Sequence, residues 1–385
     1  MKEIRTIIDA FDRKPTSVRA ALATVVQVEG SSYRRTGARM LIMDNGTWVG
    51  GISGGCLEGD ALKRARLVMA QGKPSIVTYD TTQDDDYQIG VGLGCNGIIS
   101  VLIAPIDDAA PTTIEQLRAC TTGPRQTHVL LTILKTPTDT GLTIGDVRRY
   151  DGAETLTAFG SAAAELDQVI QRFVAKGKSA PVLLNVPGGQ VEVFVEVLPP
   201  VPHVVLMGQQ YDVYPMVRLV QELGWQATVV ASPQKVSQAL FAQASALVAP
   251  ADFDRIAIDD QTAFVLMAHD YDTDKANLPR ALATSAPYIG VLGPRTRTER
   301  MLAELTTPPA PLLGKEGGDE QPPPPYQGGG AGGWSDRLHA PIGLDIGAAS
   351  PEEIALSVMA EIRAVLANRA GSFLRLRQAP IHERE

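Results

Sequence analysis

The spacing of apolar residues alternates between two periods along this chain, and each period implies an element. "MKEIRTIIDAFDRK" puts Ile4, Ile7 and Ile8 on one helical face, which predicts an amphipathic helix at the start. Short β-branched runs follow: "ALATVVQVEG", "ARMLIMDNG", "TWVGGI", "SIVTYD" and "GIISVLIAP". Glycines and the Asn45-Gly46 turn break them, so they read as strands. "CLEGDALKRARLVMAQGK" returns to helical spacing and stops at a glycine.

Residues 107–200 read as a degenerate copy of residues 1–106. "VLLTILKTPTD", "DVRRYDGAE" and "ELDQVIQRFVAKGKSAPV" repeat the order strand, Asp-Gly hairpin turn, helix and Gly-Lys stop. The second copy lacks the arginines, the glycine cluster and the cysteine of the first, so any chemistry is expected in the first. From residue 201 the texture changes to short buried runs, "HVVLMG", "WQATVVAS", "SALVAP", "AFVLMAH" and "YIGVLG", alternating with helical stretches. Ser350 and Pro351 open the last helix as cap and first-turn residue. The expected fold class is therefore α/β. An N-terminal α+β region with its repeat precedes a Rossmann-like, doubly wound parallel sheet over 201–385. Residues 306–334, rich in proline, glycine and charge, read as a disordered insertion, after which "APIGLDIG" resumes the sheet pattern.

Composition narrows the function classes. A net charge of −8 argues against nucleic acid as a partner. No apolar run reaches the ~18 residues of a membrane span, and the start lacks a secretory h-region. Three cysteines, Cys56, Cys95 and Cys120, fit a reducing cytoplasm, with thiols kept for packing or chemistry.

Two stretches set a cysteine among glycines: "GGISGGCLEGD" (residues 50–60) and "GVGLGCNG" (residues 90–97). Glycine allows positive φ and close backbone approach, so consecutive amides can cradle an anion. Gly54, Gly55 and Cys56 would also precede a helix, where the dipole favours phosphate or a thiolate. The alternative is tight turns with small buried thiols; Cys120, without glycines around it, reads as packing. Arg34, Arg35 and Arg39 follow Ser31 and Ser32 without an interspersed acid, a pattern suited to an oxyanion, or else a solvated basic loop.

In the C-terminal region, "LMGQQYDVYPM" stands where a dinucleotide fingerprint would be. Gly208 keeps the first glycine, but Gln210 and Val213 occupy the others, and Ala231-Ser232 replace a ribose-binding acid. NAD(P) binding is therefore a poor reading. "AHDYDTD" puts His269 with Asp270 and Asp274 at the end of a strand, a metal or proton-transfer set or simply a capped turn. "LGPRTRTER" adds Arg295, Arg297 and Arg300 at the next strand end.

Together, "GSSYRRTGARML…GGISGGCLE…GLGCNG" and "AHDYDTD…YIGVLGPRTRTER…PIGLDIGAASPEEIALSVMAEI" resemble the xanthine dehydrogenase accessory factor family, XdhC/CoxI. The resemblance implies a cytoplasmic, non-enzymatic maturation chaperone, expected as a homodimer. It would bind the molybdenum cofactor, assist its sulfuration with a cysteine desulfurase, and deliver it to the apo-form of a molybdenum hydroxylase. The cofactor-binding positions it implies are Ser31, Ser32, Arg34, Arg35, Arg39, Gly54, Gly55, Cys56, Gly94 and Cys95. Cys56 is the functional thiol, and Cys56 with Cys95 face the metal. Gly208, His269, Asp270 and Arg295 are the candidates in the second crevice. Tyr33 departs from the family's proline, Asn96 from a glycine, Ala268 from a threonine and Pro294 from a serine. The alternatives are an NAD(P)-dependent oxidoreductase and a scaffold that has lost cofactor binding.

Overall fold

A computed structural model describes residues 1–80, 97–138, 140–237, 242–306 and 336–378. The chain forms two compact units, Met1–Pro200 with Arg377–Glu385, and Val201–Leu376.

Unit 1 holds two antiparallel sheets. The first has the order β3-β2-β1-β5-β4, formed by β1 (Ala20–Gly30), β2 (Arg39–Met43), β3 (Trp48–Gly50), β4 (Ser75–Asp80) and β5 (Gly97–Pro105). Helix α1 (Lys2–Arg13) buries Ile4, Ile7 and Ile8, as its spacing predicts. Each fully buried isoleucine contributes roughly 1.5–3 kcal/mol. Helix α2 (Glu58–Gln71) lays Ala61, Ala65, Val68 and Met69 on the apolar face of β1, β2 and β5. It ends at Gly72, whose φ of 65° closes the helix in a conformation glycine takes without strain.

Helix α3 (Thr112–Ala119) leads to the second sheet, β7-β6-β9-β8, from β6 (His128–Lys135), β7 (Val147–Arg149), β8 (Ala180–Val186) and β9 (Gly189–Leu198). With β6 matched to β1, β7 to β2, β8 to β4 and β9 to β5, both sheets run in the same order. Both first strands carry a bulge at the same place, after Val25 and after Ile133. The register then equates Arg39 with Val147, each opposite a threonine, and Ala104 with Glu196, each opposite a leucine. Val26, Leu102, Leu134 and Phe194 form one cluster in which both sheets contribute the same two positions. Helix α4 (Ala163–Lys176) covers the second sheet with Leu166, Val169, Ile170 and Phe173, and also ends at a left-handed glycine, Gly177. Asp151-Gly152, expected as a hairpin turn, instead leads into a 3-10 stretch, Ala153–Ala162, so β3 has no counterpart.

Unit 2 is a six-stranded, all-parallel sheet in the order β12-β11-β10-β13-β14-β15. Its strands are β10 (His203–Met207), β11 (Gln226–Val230), β12 (Ala246–Val248), β13 (Thr262–Leu266), β14 (Tyr288–Val291) and β15 (Leu338–His339). This is the strand order of the Rossmann fold. Helices α5 (Val213–Glu222) and α8 (Pro351–Leu366) pack on one face, against Val204, Leu206, Val229 and Val265. Helices α6 (Tyr271–Leu282) and α7 (Arg295–Thr306) pack on the other, against Val205, Met207, Phe264 and Ile289. Ser350 caps α8 in a reciprocal box with Glu353. The last strand precedes "APIGLDIG", which is irregular rather than a strand as expected, and leads straight to that cap. The insertion expected at 306–334 lies outside the described residues beyond Thr306.

Candidate functional site

Three of the stretches singled out in the sequence meet at the end of β1. Gly30 turns the chain out of the strand with φ 78°, into the loop of residues 31–38. The carbonyl of Ser31 lies against Gly97, the first residue of β5 and the last of the second glycine stretch. A Cβ on Gly97 would come within 2.3 Å of it. The exposed ring of Tyr33 covers Gly54, where a Cβ would lie 3.3 Å away. Gly94 and Cys95 lie outside the described residues.

The loop's charges are arranged differently from expectation. Arg39, expected to face an anion, is 3% exposed and forms a bidentate ion pair with Glu196 of β9. Burial disfavours its charge, yet the Glu196 carboxylate more than compensates and holds the guanidinium firmly protonated. Arg39 also donates to the carbonyl of Gly37 (2.9 Å), and its amide donates to Glu3 (3.0 Å). Arg34 pairs with the same Glu3. The acids absent from the local sequence thus arrive from 31 and 157 residues away. Two polar atoms of the loop remain without partners although buried: Ser32 Oγ and Arg34 Nε. Arg34 also lines a cavity of about 450 Å³, together with Glu3, Tyr33, Arg35, Arg39 and Glu196.

The cysteine loop is likewise tied internally. Helix α2 begins at Glu58, so Cys56 precedes its first residue by two positions instead of starting it. Glu58 folds back to accept from the amides of Ile52 (3.1 Å) and Ser53 (2.8 Å) and from the Ser53 hydroxyl. Ser53 Oγ in turn accepts from the amides of Gly55 (3.2 Å) and Leu57 (3.0 Å). Burial alone would raise the Glu58 carboxyl, but the donors of Ser53 and Ile52 bring it below its ordinary value. The loop therefore already holds one carboxylate, leaving the Gly54 and Cys56 amides as donors. Cys56 is half-buried, whereas Cys120 is 2% exposed at the end of α3, its thiol pushed up to about 11 by burial. Among the described residues no three His, Cys, Asp or Glu side chains converge to hold a metal.

Unit 2 builds a second polar site in its crevice. The β10 and β13 ends approach so closely at Gly208 that a Cβ would sit 2.5 Å from the Met267 carbonyl. His269 was expected to pair with Asp270 and Asp274, but its Nε2 lies 2.5 Å from Asp212, just before α5. Asp270 instead caps α6 through the amide of Thr273 (2.8 Å). Asp274 is fully buried; burial raises its carboxyl, in part offset by Arg297 at 2.8 Å. Arg295, the arginine singled out, points to Glu299 on its own helix. His269 holds a left-handed backbone (φ 59°), costly for a non-glycine residue. Sequence reasoning missed Glu3, Glu58, Glu196 and Asp212. Only Glu58 carried a local signal, an acid five residues after Ser53 across a glycine turn.

Residues 16–80 match the XdhC and CoxI family, and residues 204–311 and 328–362 match the XdhC Rossmann domain. A probable xanthine dehydrogenase subunit from Bacillus subtilis (strain 168) is 29% identical over 376 residues, spanning 94% of this chain and 97% of that protein. The molybdenum cofactor insertion chaperone PaoD of Escherichia coli (strain K12) is 29% identical over 92 residues, 24% of this chain and 28% of PaoD. The crystal structure of a xanthine dehydrogenase from Bacillus halodurans shares the fold with a TM-score of 0.67 at 27% identity, covering 97% of this chain and 98% of that one. With both regions matched, this chain belongs to the XdhC and CoxI family.

Proposed function

We propose that this protein is a maturation chaperone that binds the molybdenum cofactor in unit 1 and assists its insertion into a xanthine dehydrogenase-type hydroxylase. One observation carries the reading: Ser32 Oγ and Arg34 Nε are buried without partners where the loop of residues 31–38 meets Gly54 and Gly97. A phosphate-bearing pterin supplies the acceptor those two donors lack. Cys56 offers the soft ligand suited to the metal side. The cofactor brings the redox metal that a client hydroxylase needs; the chain's part is to bind, orient and shield it. Arg34 and Ser32 would take the phosphate, with Arg39 held back as the loop's anchor. Sulfuration with a cysteine desulfurase, and a homodimeric state, belong to the same proposal.

The test is purification from a host that makes the cofactor, with pterin and molybdenum measured on the protein. Arg34→Ala should lower both by at least about tenfold, the size of one lost charge-assisted contact. Wild-type protein without pterin, or an Arg34 variant loaded like wild type, would overturn the reading.

The Rossmann strand order favours a second reading, dinucleotide binding in unit 2. Against it, the buried Asp212 carboxylate occupies the start of α5, where a pyrophosphate would need the helix amides. Millimolar NADH should therefore give no thermal shift, since a ligand stabilises only what it binds. A saturable shift would restore that reading.

A further inference from the structure

Unit 1 contains its own control for the Arg39–Glu196 pair. A buried ion pair gives up the hydration of two charges, and apolar residues of similar volume commonly serve as well. The equivalent positions of the other pair are apolar and smaller. Val147 stands at the register position of Arg39, and Ala104 at that of Glu196. Gly145 (φ 90°) backs onto Ala104 as Gly37 (φ 87°) backs onto Glu196. The same register positions carry apolar residues in one place and a charged pair in the other.

The difference lies in the loop each pair supports. Counting from the paired glycines, Leu142 takes the place of Arg34. Leu142 is 7% exposed and packed in the core of the second sheet, and so anchors its own loop. At that place the first loop has a charged residue, and its buried apolar side chain is the small Ala38 next to β2. It carries Ser32, Tyr33, Arg34 and Arg35, and carboxylates tie it instead: Glu3 at Arg34 and at the Arg39 amide, and Glu196 through the Arg39 guanidinium to the Gly37 carbonyl.

We propose that Glu196 is a positioning residue for ligand binding: through Arg39 it fixes residues 31–38 so that Ser32 and Arg34 present their donors to an anionic ligand. The proposal rests on the reading that unit 1 binds a phosphate-bearing pterin. It also assigns a role to the middle region, which lies outside the segments that match the family. The second sheet does not carry a site of its own; it completes the site of the first.

The test replaces the charged pair by an apolar one. Glu196→Ala alone strands a buried charge and can simply unfold the chain, so the variant to build is Arg39→Met with Glu196→Leu, apolar residues of similar volume. Its melting temperature should stay within about 3 °C of wild type. Amide hydrogen exchange of residues 31–38 should become at least about tenfold faster, with residues 142–146 unchanged. Pterin retained after expression in a cofactor-producing host should fall at least about fivefold, a loss of pre-organisation. A double variant with wild-type exchange and wild-type pterin overturns the proposal. So does one that fails to fold, because the pair would then serve the fold itself. If wild type retains no pterin, the ligand reading fails separately, and the exchange of residues 31–38 alone decides the positioning role.

Discussion

Ahead of their packing helices, the two sheets of unit 1 differ in residues and in backbone: an irregular loop precedes α2 and a 3-10 stretch precedes α4. Aligning α2 and α4 at Gly72 and Gly177 sets Gly55 against Gly160, both with positive φ (114° and 55°). In that alignment Ser53 matches Ala158, Gly54 matches Phe159, Cys56 matches Ser161 and Glu58 matches Ala163. Phe159 is 2% exposed and fills the second core, while Gly54 lies open beneath Tyr33. One copy closes its turn with a hydrophobe; the other leaves it open and braces it with a serine and a glutamate. The shared features (bulge, glycines, strand order) are what the fold needs, and the differences are where chemistry is to be sought.

The largest effect should come from breaking the asymmetric pair on one side only. Glu196→Ala leaves Arg39 buried and unpaired, which costs about 3–5 kcal/mol. Val147→Ala, the trim at the apolar position equivalent to Arg39, removes two methyl-sized groups and should cost about 1–2 kcal/mol. Urea unfolding of both variants measures the contrast; equal costs would mean that the pair is partly hydrated.

Next come the two glycines behind these positions. Alanine at either meets a backbone at φ near 90°, a strain of roughly 1–2 kcal/mol. At position 37 its Cβ would also lie 2.5 Å from the Glu196 carboxylate, whereas at 145 the nearest atom is a Pro74 carbon at 3.2 Å. Gly37→Ala should therefore cost about 1 kcal/mol more than Gly145→Ala. If Glu196 is changed to alanine first, that excess should vanish, as a double-mutant cycle would show.

These pairs also mark the limit of what the sequence disclosed. Periodicity placed most strands and helices, glycines placed the two helix ends, and Ser350 with Pro351 placed the start of α8, because each signal is carried by neighbours in the chain. The arginine loop was legible as an unusual run of charge. Its partners were not, since Glu3 and Glu196 are brought to it by strand pairing and packing and no local pattern records them. Asp212, 57 residues from His269, was hidden for the same reason. The 3-10 stretch after Asp151-Gly152 was missed because an Asp-Gly pair signals a turn without specifying the backbone beyond it.

A third, smaller effect concerns Glu58, whose counterpart is Ala163. Glu58→Ala removes acceptors from two backbone amides and a hydroxyl, at about 1–3 kcal/mol. The Glu58 carboxyl lies below its ordinary value of 4.5 in the folded protein, so its contribution is present above that pH and fades as pH falls below it. Wild type and variant should differ fully at pH 7, and the difference should shrink as pH falls through the lowered Glu58 carboxyl. A difference that persists undiminished in acid would mean that packing, not the carboxylate, supports the turn.

The smallest effect on stability, and the most informative for function, is at Cys56. Cys56→Ser gives the first copy the residue that the second already has in Ser161, on a half-buried site, so the melting temperature should move by no more than about 2 °C. Reactivity separates this thiol from Cys120. With its thiol at about 11, Cys120 has only about one part in a thousand thiolate at pH 8, and it is buried besides. In a Cys95→Ser background, a disulfide reagent should therefore consume one equivalent in the native protein, lost in Cys56→Ser, and a second only on unfolding. If Cys56 takes part in cofactor handling, the serine variant should fold as wild type yet retain less molybdenum per pterin. Unchanged molybdenum content alongside an unreactive Cys56 would mean that the thiol is packing, as in the second copy a hydroxyl suffices.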